Sequence, residues 1–259
     1  MPIITISRGS YSRGKEIAEK VARKLGYECI GRETLLEASE QFNIPETMLV
    51  RAIHDAPSIL ERFTHGKEKY IAYIQAALVR HVRNDNVVYH GLAGHFLLEG
   101  ISHVLKIQII SDWDDRVALE MERENLSRKE AEHILRSDDE QRRRWSKYVC
   151  GIDTMDPSLY DMVIHIKTLN VDHAVEIICN SAGLKHFQKT PQSQKAMNNL
   201  FLACEVRSTL IEHIPDIQVR ADDGVVLLKM KSKDEHIIQE AINIAEAVPG
   251  VNKVRLEVK

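Results

Sequence analysis

The apolar positions of this chain keep two rhythms, and their alternation lays out the fold. Ile3, Ile4, Thr5 and Ile6 form a β-branched run, which predicts a buried strand. Ile17, Ala18, Val21, Ala22 and Leu25 then recur at helical spacing. Short strands are expected at 27–30 and 86–90, a longer one at 104–110, and a fifth within 160–166 as MVIHI. Helical periodicity fills 33–41 and 45–84, most clearly over 68–82, where Ile71, Ile74, Ala77, Leu78 and Val82 share a face. Ser127 and Glu130 form a capping box that opens a long charged helix. Five strands separated by helical segments predict an α/β fold, a doubly wound parallel five-stranded sheet with helices on both faces.

The rhythm stops at 183–197, where Gly, Pro, Gln, Ser and Lys dominate, and a linker is placed there. Beyond it come a helix at 200–213, a strand at 217–220, an Asp222-Asp223-Gly224 hairpin turn and a strand at 225–230. A helix at 234–248 and a strand at 251–258 complete a small αββαβ domain. The expected division is therefore a first domain over 1–182, a linker over 183–197 and a second domain over 198–259.

Composition narrows the class without naming a chemistry. Charged residues make up 28% and hydrophobic ones 44% of the 259 residues, the balance of a globular protein. A formal net charge of −3 gives no electrostatic reason to expect nucleic acid as a partner. Cys29, Cys150, Cys179 and Cys204 form no CxxC pair and are expected to be buried, reduced thiols. No leader pattern opens the chain, and no apolar run nears the roughly 20 residues needed to cross a bilayer. The expected location is the cytoplasm.

The chemistry gathers at the N-terminus. After the first strand, Gly9 and Gly14-Lys15 stand at the spacing GxxxxGK and lead into a helix. Strand, glycine-bounded loop, lysine and helix make the layout of a phosphate-binding P-loop, with backbone N–H groups and one ammonium aimed at a polyphosphate. The next position, where a Ser or Thr would ligate Mg²⁺, is Glu16. Arg32 follows the second strand, at the strand-end edge where ligands of open α/β sheets bind; a solvated surface arginine is the equal alternative. On the charged helix, Arg142, Arg143 and Arg144 cannot share one face, so one or two of them can point into a site. His90 and His95 flank GLAG and are read as ordinary polar residues, because two histidines make no metal site without a third ligand.

Several stretches in order resemble the cytidylate kinase-like family of P-loop nucleoside monophosphate kinases. They are ITISRGSYSRGKEIAEKVARKLGY, IGRETL, VVYHGLAGHFLL with VLKIQI, and DDRVALEMERENLSRKEAEHILRSDDEQRRRWSKYVCGIDTMDPSLYDMVIHI. The resemblance implies ATP and Mg²⁺ as cofactors and a nucleoside monophosphate, most readily CMP, as acceptor. It implies that Lys15 meets the β- and γ-phosphates and that the backbone around Gly9, Ser10, Ser12, Arg13 and Gly14 cradles them. It places Arg32, Arg116 and Asp161 toward the acceptor, and Asp139 and Arg142 on the lid helix, with Arg142 neutralising the transferring phosphoryl group. No protein ligand to the metal is assigned. Residues 198–259, through IQVRADDGVVLLKMKSKDE and AEAVPGVNKVRLEV, resemble a BON domain, which implies a small ligand, a phospholipid or a protein as its partner.

The chain departs from the family pattern at four places. Tyr11 and Arg13 stand where glycine is expected, Glu16 replaces the hydroxyl, and Leu92 follows Gly91 where an arginine should hold the acceptor. Arg13 and Arg143 are the candidates to compensate. Two functions follow: a kinase transferring phosphate from ATP to a nucleoside monophosphate, or a nucleotide-binding regulatory protein of weak or no turnover with a BON module for a second contact.

Overall fold

The structure, a computed structural model, describes residues 2–8, 12–31, 66–91 and 94–258. Strand β1 (Ile3–Arg8) lies at the centre of a five-stranded sheet. β3 (Val87–His90) and β4 (Val104–Ser111) flank it, and β2 (Glu28–Ile30) and β5 (Met162–Ile166) form the edges. Every pairing in it is parallel. Ile3, Ile4 and Ile6 are all fully buried, as both faces of a central parallel strand should be.

The two faces of this sheet differ. Ile4, Ile6, Val88, Leu105, Ile107 and Ile164 join the apolar stripes of α1 (Gly14–Leu25) and α6 (Val171–Ala182) in one core. The opposite face carries Thr5, Ser7, Tyr89 and Gln108, all buried. The short helix α3 (Gly94–Leu97) lies there, with Gly94 close over Thr5 and Tyr89. A Cβ at Gly91 would come 2.5 Å from the Tyr89 hydroxyl, and one at Gly94 2.5 Å from its ring. Both glycines of the GLAG stretch therefore make room for Tyr89. His90 and His95 are each only 6% exposed, so they are core residues and not the ordinary polar ones expected.

After β4 come α4 (Trp113–Glu124) and α5 (Arg128–Cys150). The Ser127–Glu130 capping box opens α5 as expected, with the Glu130 carboxylate accepting from the Ser127 amide at 2.9 Å. No periodicity had marked α4, whose charged residues dilute its apolar face.

Among the described residues, 2–31 and 84–189 form one compact unit, and 66–83 with 190–258 form another. The second is built on α7 (Pro191–Leu210), β6 (Gln218–Asp222), β7 (Val225–Met230), α8 (Glu235–Glu246) and β8 (Lys253–Val258). Its sheet order is β6-β7-β8, with an antiparallel hairpin and a parallel closing strand. The hairpin is as expected: Asp223 (φ 48°) and Gly224 (φ 79°) take the two left-handed positions of a tight turn.

Two expected boundaries differ from what is found. Residues 191–197, read as linker, are the opening turns of α7, capped by Thr190 with its side chain accepting from the Ser193 amide at 3.1 Å. Proline at the first helical position and a Thr cap favour a helix start, so composition alone misread the segment. Helix α2 (Gly66–Val82), expected inside the first domain, buries Ala72 and Tyr73 with Leu202, Val206, Leu210 and Val226. Arg80 forks onto Glu205 at 2.6 and 2.7 Å, and Tyr73 and Lys69 both bond Glu212. The helix expected at 33–41 lies outside the described residues.

Candidate functional site

The carboxyl ends of β1 and β4 open into two clefts within the first unit. One, of about 450 Å³, is lined by Arg13, Ser111, Asp115, Arg116, Leu119, Lys167 and Asn170 among others. The other, of about 390 Å³, is lined by Ser7, Ser12, Gln108, Trp113, Arg116, Arg136, Asp139, Arg142, Arg143, Thr154 and Met155 among others. Ser111 and Arg116 border both, so the clefts meet at Arg116.

Three of the expected residues come together there. Arg116, in the first turn of α4, places both contacts of one guanidinium nitrogen on the Asp139 carboxylate of α5, at 2.8 and 2.7 Å. Arg142, one turn further along α5, lines the same cleft. Arg143 also faces it and lies 3.5 Å from Asp153. Arg144 turns away to Glu140 at 2.7 Å. Two of the three consecutive arginines thus reach the cleft, as helical geometry allows.

The floor is a buried polar network. The Tyr160 hydroxyl donates to the Thr154 carbonyl at 2.9 Å and lies 3.1 Å from Ser7 Oγ. Gln108 Nε2 donates to the same Thr154 carbonyl at 3.0 Å. Burial pushes the Tyr160 phenol up, opposed by the Ser7 contact. The His95 ring packs on Tyr160 with centroids 4.6 Å apart. Burial first, and the Lys106 ammonium second, lower the His95 pKa to about 4, so it is neutral at pH 7. Ser7 and Gln108 carry no motif, and their only sequence signal is a polar residue inside an apolar strand; Thr154 and Tyr160 lie in the segment before β5.

The P-loop region is partly described. Ser12 is fully buried, and its Oγ donates to the Ile109 carbonyl at 3.2 Å, pinning the loop to β4. Arg13 precedes α1 in the left-handed conformation, φ 60° and ψ 10°. This costs an L-residue about 1–2 kcal/mol that glycine would avoid. Gly14 is buried at the start of α1. The first amides of such a helix have no intrahelical acceptor and suit an anion.

Lys15 lines neither cleft; its side chain is 57% exposed and its ammonium lies 3.9 Å from Glu19. Asp161 lines neither as well. It sits at the amino end of β5, where its carboxylate accepts from the Lys106 amide at 2.8 Å and so holds the β4–β5 register. Gly9, Ser10, Tyr11, Arg32 and Leu92 lie outside the described residues.

The first cleft brings the cations Arg13, Arg116 and Lys167, which suit a polyphosphate, beside the carboxylates of Asp115 and Glu122. Mg²⁺ is another matter. Glu16 is taken up by Arg13 at 3.6 Å and Lys20 at 3.4 Å, and the Ser12 hydroxyl is committed to a backbone carbonyl. Among the described residues no group of three His, Cys, Asp or Glu side chains stands ready for a cation. Of the cysteines described, Cys29, Cys179 and Cys204 are free thiols, and burial pushes Cys204 up to about 12. Among the described residues no helix is long and apolar enough to cross a membrane.

Comparison with known proteins gives three findings. The sequence model of the cytidylate kinase-like family matches residues 3–168. No curated protein matches. Among solved structures, the chain is similar to an uncharacterized protein from Eubacterium ventriosum, at 21% identity and a TM-score of 0.55, over 70% of this chain and 98% of that one. It has weaker similarity to a shikimate kinase from Bacteroides thetaiotaomicron, at 11% identity and a TM-score of 0.43, over 71% of this chain and 99% of that one. The Eubacterium likeness is one of fold.

Proposed function

The chain belongs to the cytidylate kinase-like family, and from that premise we propose that it is a nucleotide kinase, transferring a phosphoryl group from ATP to a nucleoside monophosphate, with CMP the first acceptor to test. The observation that carries this reading is the junction of two clefts at Arg116. The 450 Å³ cleft, reached by the end of the P-loop at Arg13, receives ATP. The 390 Å³ cleft, with Arg142 and Arg143, receives the phosphoryl group in transit. Transfer of this kind needs positioning and charge neutralisation rather than a covalent intermediate. Arg116, fixed by Asp139, stands where donor and acceptor would meet, and Arg142 supplies a second positive charge from the lid helix. Mg²⁺, when it accompanies ATP, would add charge neutralisation to the phosphates; no step is assigned to it.

The reading is tested by ADP release from ATP across the nucleoside monophosphates. Arg142→Ala should reduce kcat by about a thousandfold or more, the low end of what arginines contribute to phosphoryl transfer. A wild-type chain with no ADP release above background, or an Arg142→Ala variant with unchanged kcat, overturns it.

A second reading, nucleotide binding with little turnover, is favoured by one observation. Glu16 stands at the hydroxyl position and is paired with Arg13 and Lys20. ATP binding without ADP release would select it. We also read 198–259 as BON-like; the helix–strand–strand–helix–strand order of the second unit supports this. A small ligand, a phospholipid or a protein would be its partner.

A further inference from the structure

We propose that the Arg13 guanidinium, rather than the Lys15 ammonium, is the principal side-chain cation for the nucleotide polyphosphate, and that Glu16 is its resting counter-ion, released when phosphate binds. This inference rests on the kinase reading of the same cleft and assigns the charge within it.

Three observations lead there. The first is position: Arg13 lines the 450 Å³ cleft, and Lys15, two residues on, does not. The second is backbone: Arg13 occupies a left-handed conformation that glycine takes freely. A side chain retained against that cost points to use of the side chain. The third is how the cleft's cations are held. Arg116 is clamped to Asp139 at 2.7 Å, and Lys167 is paired with Asp112. Among the described residues Arg13 has only the longer pair with Glu16, at 3.6 Å, and its side chain is 47% exposed. Among the cations that line the cleft it gives up least on turning to a phosphate, because an exposed pair at that length is weak; Lys15, in a still looser pair with Glu19, is set apart by lying outside the cleft.

Glu16 then has a purpose at a position where it would otherwise repel phosphate. It neutralises Arg13 while the cleft lacks nucleotide. Lys20, at 3.4 Å, receives the carboxylate when Arg13 leaves. Lys20 is itself bonded to Asp172 at 2.9 Å, which fixes its place at the foot of α6. Phosphate therefore exchanges with a carboxylate for one guanidinium, a contact Arg makes with two parallel N–H groups.

Calorimetric titrations of the full chain with ATP, and separately with inorganic tripolyphosphate, test the inference without requiring turnover. Arg13→Gly should weaken both ligands by about tenfold to a hundredfold, the range for a charge-assisted contact. Lys15→Ala should weaken them by less. Glycine suits the left-handed position, so the variant should melt no lower than wild type; Arg13→Asn, which also tolerates that conformation, provides a second neutral variant. Glu16→Gln should tighten binding by about twofold to fivefold in the wild-type background and have no effect beside Arg13→Gly. Unchanged affinity in both Arg13 variants, a loss in Lys15→Ala that equals or exceeds theirs, or a loss seen with ATP but not with tripolyphosphate overturns the assignment and leaves the kinase reading standing. A wild-type chain that binds neither ligand overturns both.

Discussion

The two sheets of this chain bury different things. The five-stranded sheet covers one face with isoleucine, valine and leucine and puts Thr5, Ser7, Gln108 and Tyr89 on the other, out of solvent. The buried side chains of the three-stranded sheet are Val226, Leu228 and Met230, all apolar. Burying a polar group costs free energy unless a partner meets it, so such groups persist where something uses them. In the first sheet Ser7 meets the Tyr160 hydroxyl and Gln108 the Thr154 carbonyl beneath a cleft lined with arginines, while Thr5 Oγ1 is buried with no hydrogen-bond partner among the described residues. In the second unit the polar work is done at the periphery, by Arg80 with Glu205 and by Lys195 with Asp222 and Asp223. The first sheet is organised for chemistry, and the second for holding a small core together.

The comparison breaks most visibly at the second unit, whose core draws on two distant stretches. A chain ending at Lys189 lacks α7 to β8 and leaves Ala72 and Tyr73 of α2 without Leu202, Val206 and Leu210. Losing that many buried contacts is a core deletion several times the roughly 2–5 kcal/mol of one large-to-small change. Amide exchange over 68–82 should lose its protection in the shortened chain, which should aggregate. Protection that survives would mean that α2 does not depend on 190–258. In that case the shortened chain behaves as the expected 1–182 domain would.

That result bears on how much was legible in the sequence. Apolar β-branched runs marked β1, β3 and β4, which are buried on both sides; MVIHI matched β5 to the residue although this edge strand exposes Val163 and His165, and β2 is read from the short stretch YECI without such a run. The Ser127–Glu130 box and the Asp222-Asp223-Gly224 turn were legible because their signals are local. The stripe on α2 was legible too, but a stripe says that a face is buried and not what buries it. The site divided the same way. Arg116, Asp139 and Arg142 meet in one cleft. Asp161 is turned to a backbone amide at the other end of its strand, and Lys15 leans along its own helix. A motif gives the residue and its element, while side-chain direction depends on neighbours brought in from elsewhere. His95 shows this most plainly, since its burial depends on Gly94 passing over Tyr89 and on the ring of Tyr160.

A narrower cut sharpens the contrast. Tyr160→Phe keeps the ring against His95 and removes the donor to Thr154 and the contact with Ser7. Gln108 still donates to the Thr154 carbonyl, so the loss of stability should be about 1 kcal/mol, read from denaturant unfolding. Thr154 and Met155 line the arginine cleft, so loosening them should lower kcat by more than it changes the KM for ATP. A proportionate fall in folded protein, with kcat per folded molecule unchanged, would reduce Tyr160 to a packing residue.

The smallest expected effect is a pH slope. His95 has its pKa lowered to about 4 in the fold, whereas an unfolded histidine titrates near 6.5. Between those values the unfolded chain holds a proton there that the folded chain does not. Stability conferred by the neutral ring is therefore complete above pH 6.5 and is lost as pH falls toward 4. His103 adds to the same slope. Burial lowers its pKa as well, against the pull of Asp85 at 3.0 Å. His95→Phe keeps an aromatic ring against Phe96 and Tyr160 and removes one titrating group, while His103 remains. Unfolding free energy measured from pH 7 to pH 4 should fall less steeply in the variant, by up to about 1 kcal/mol per pH unit. Above pH 7 the two curves should run parallel. Equal slopes below pH 6.5 would mean that His95 keeps an ordinary pKa in the fold. The polar face of the first sheet would then be open to water, and the contrast between the two sheets would no longer rest on burial.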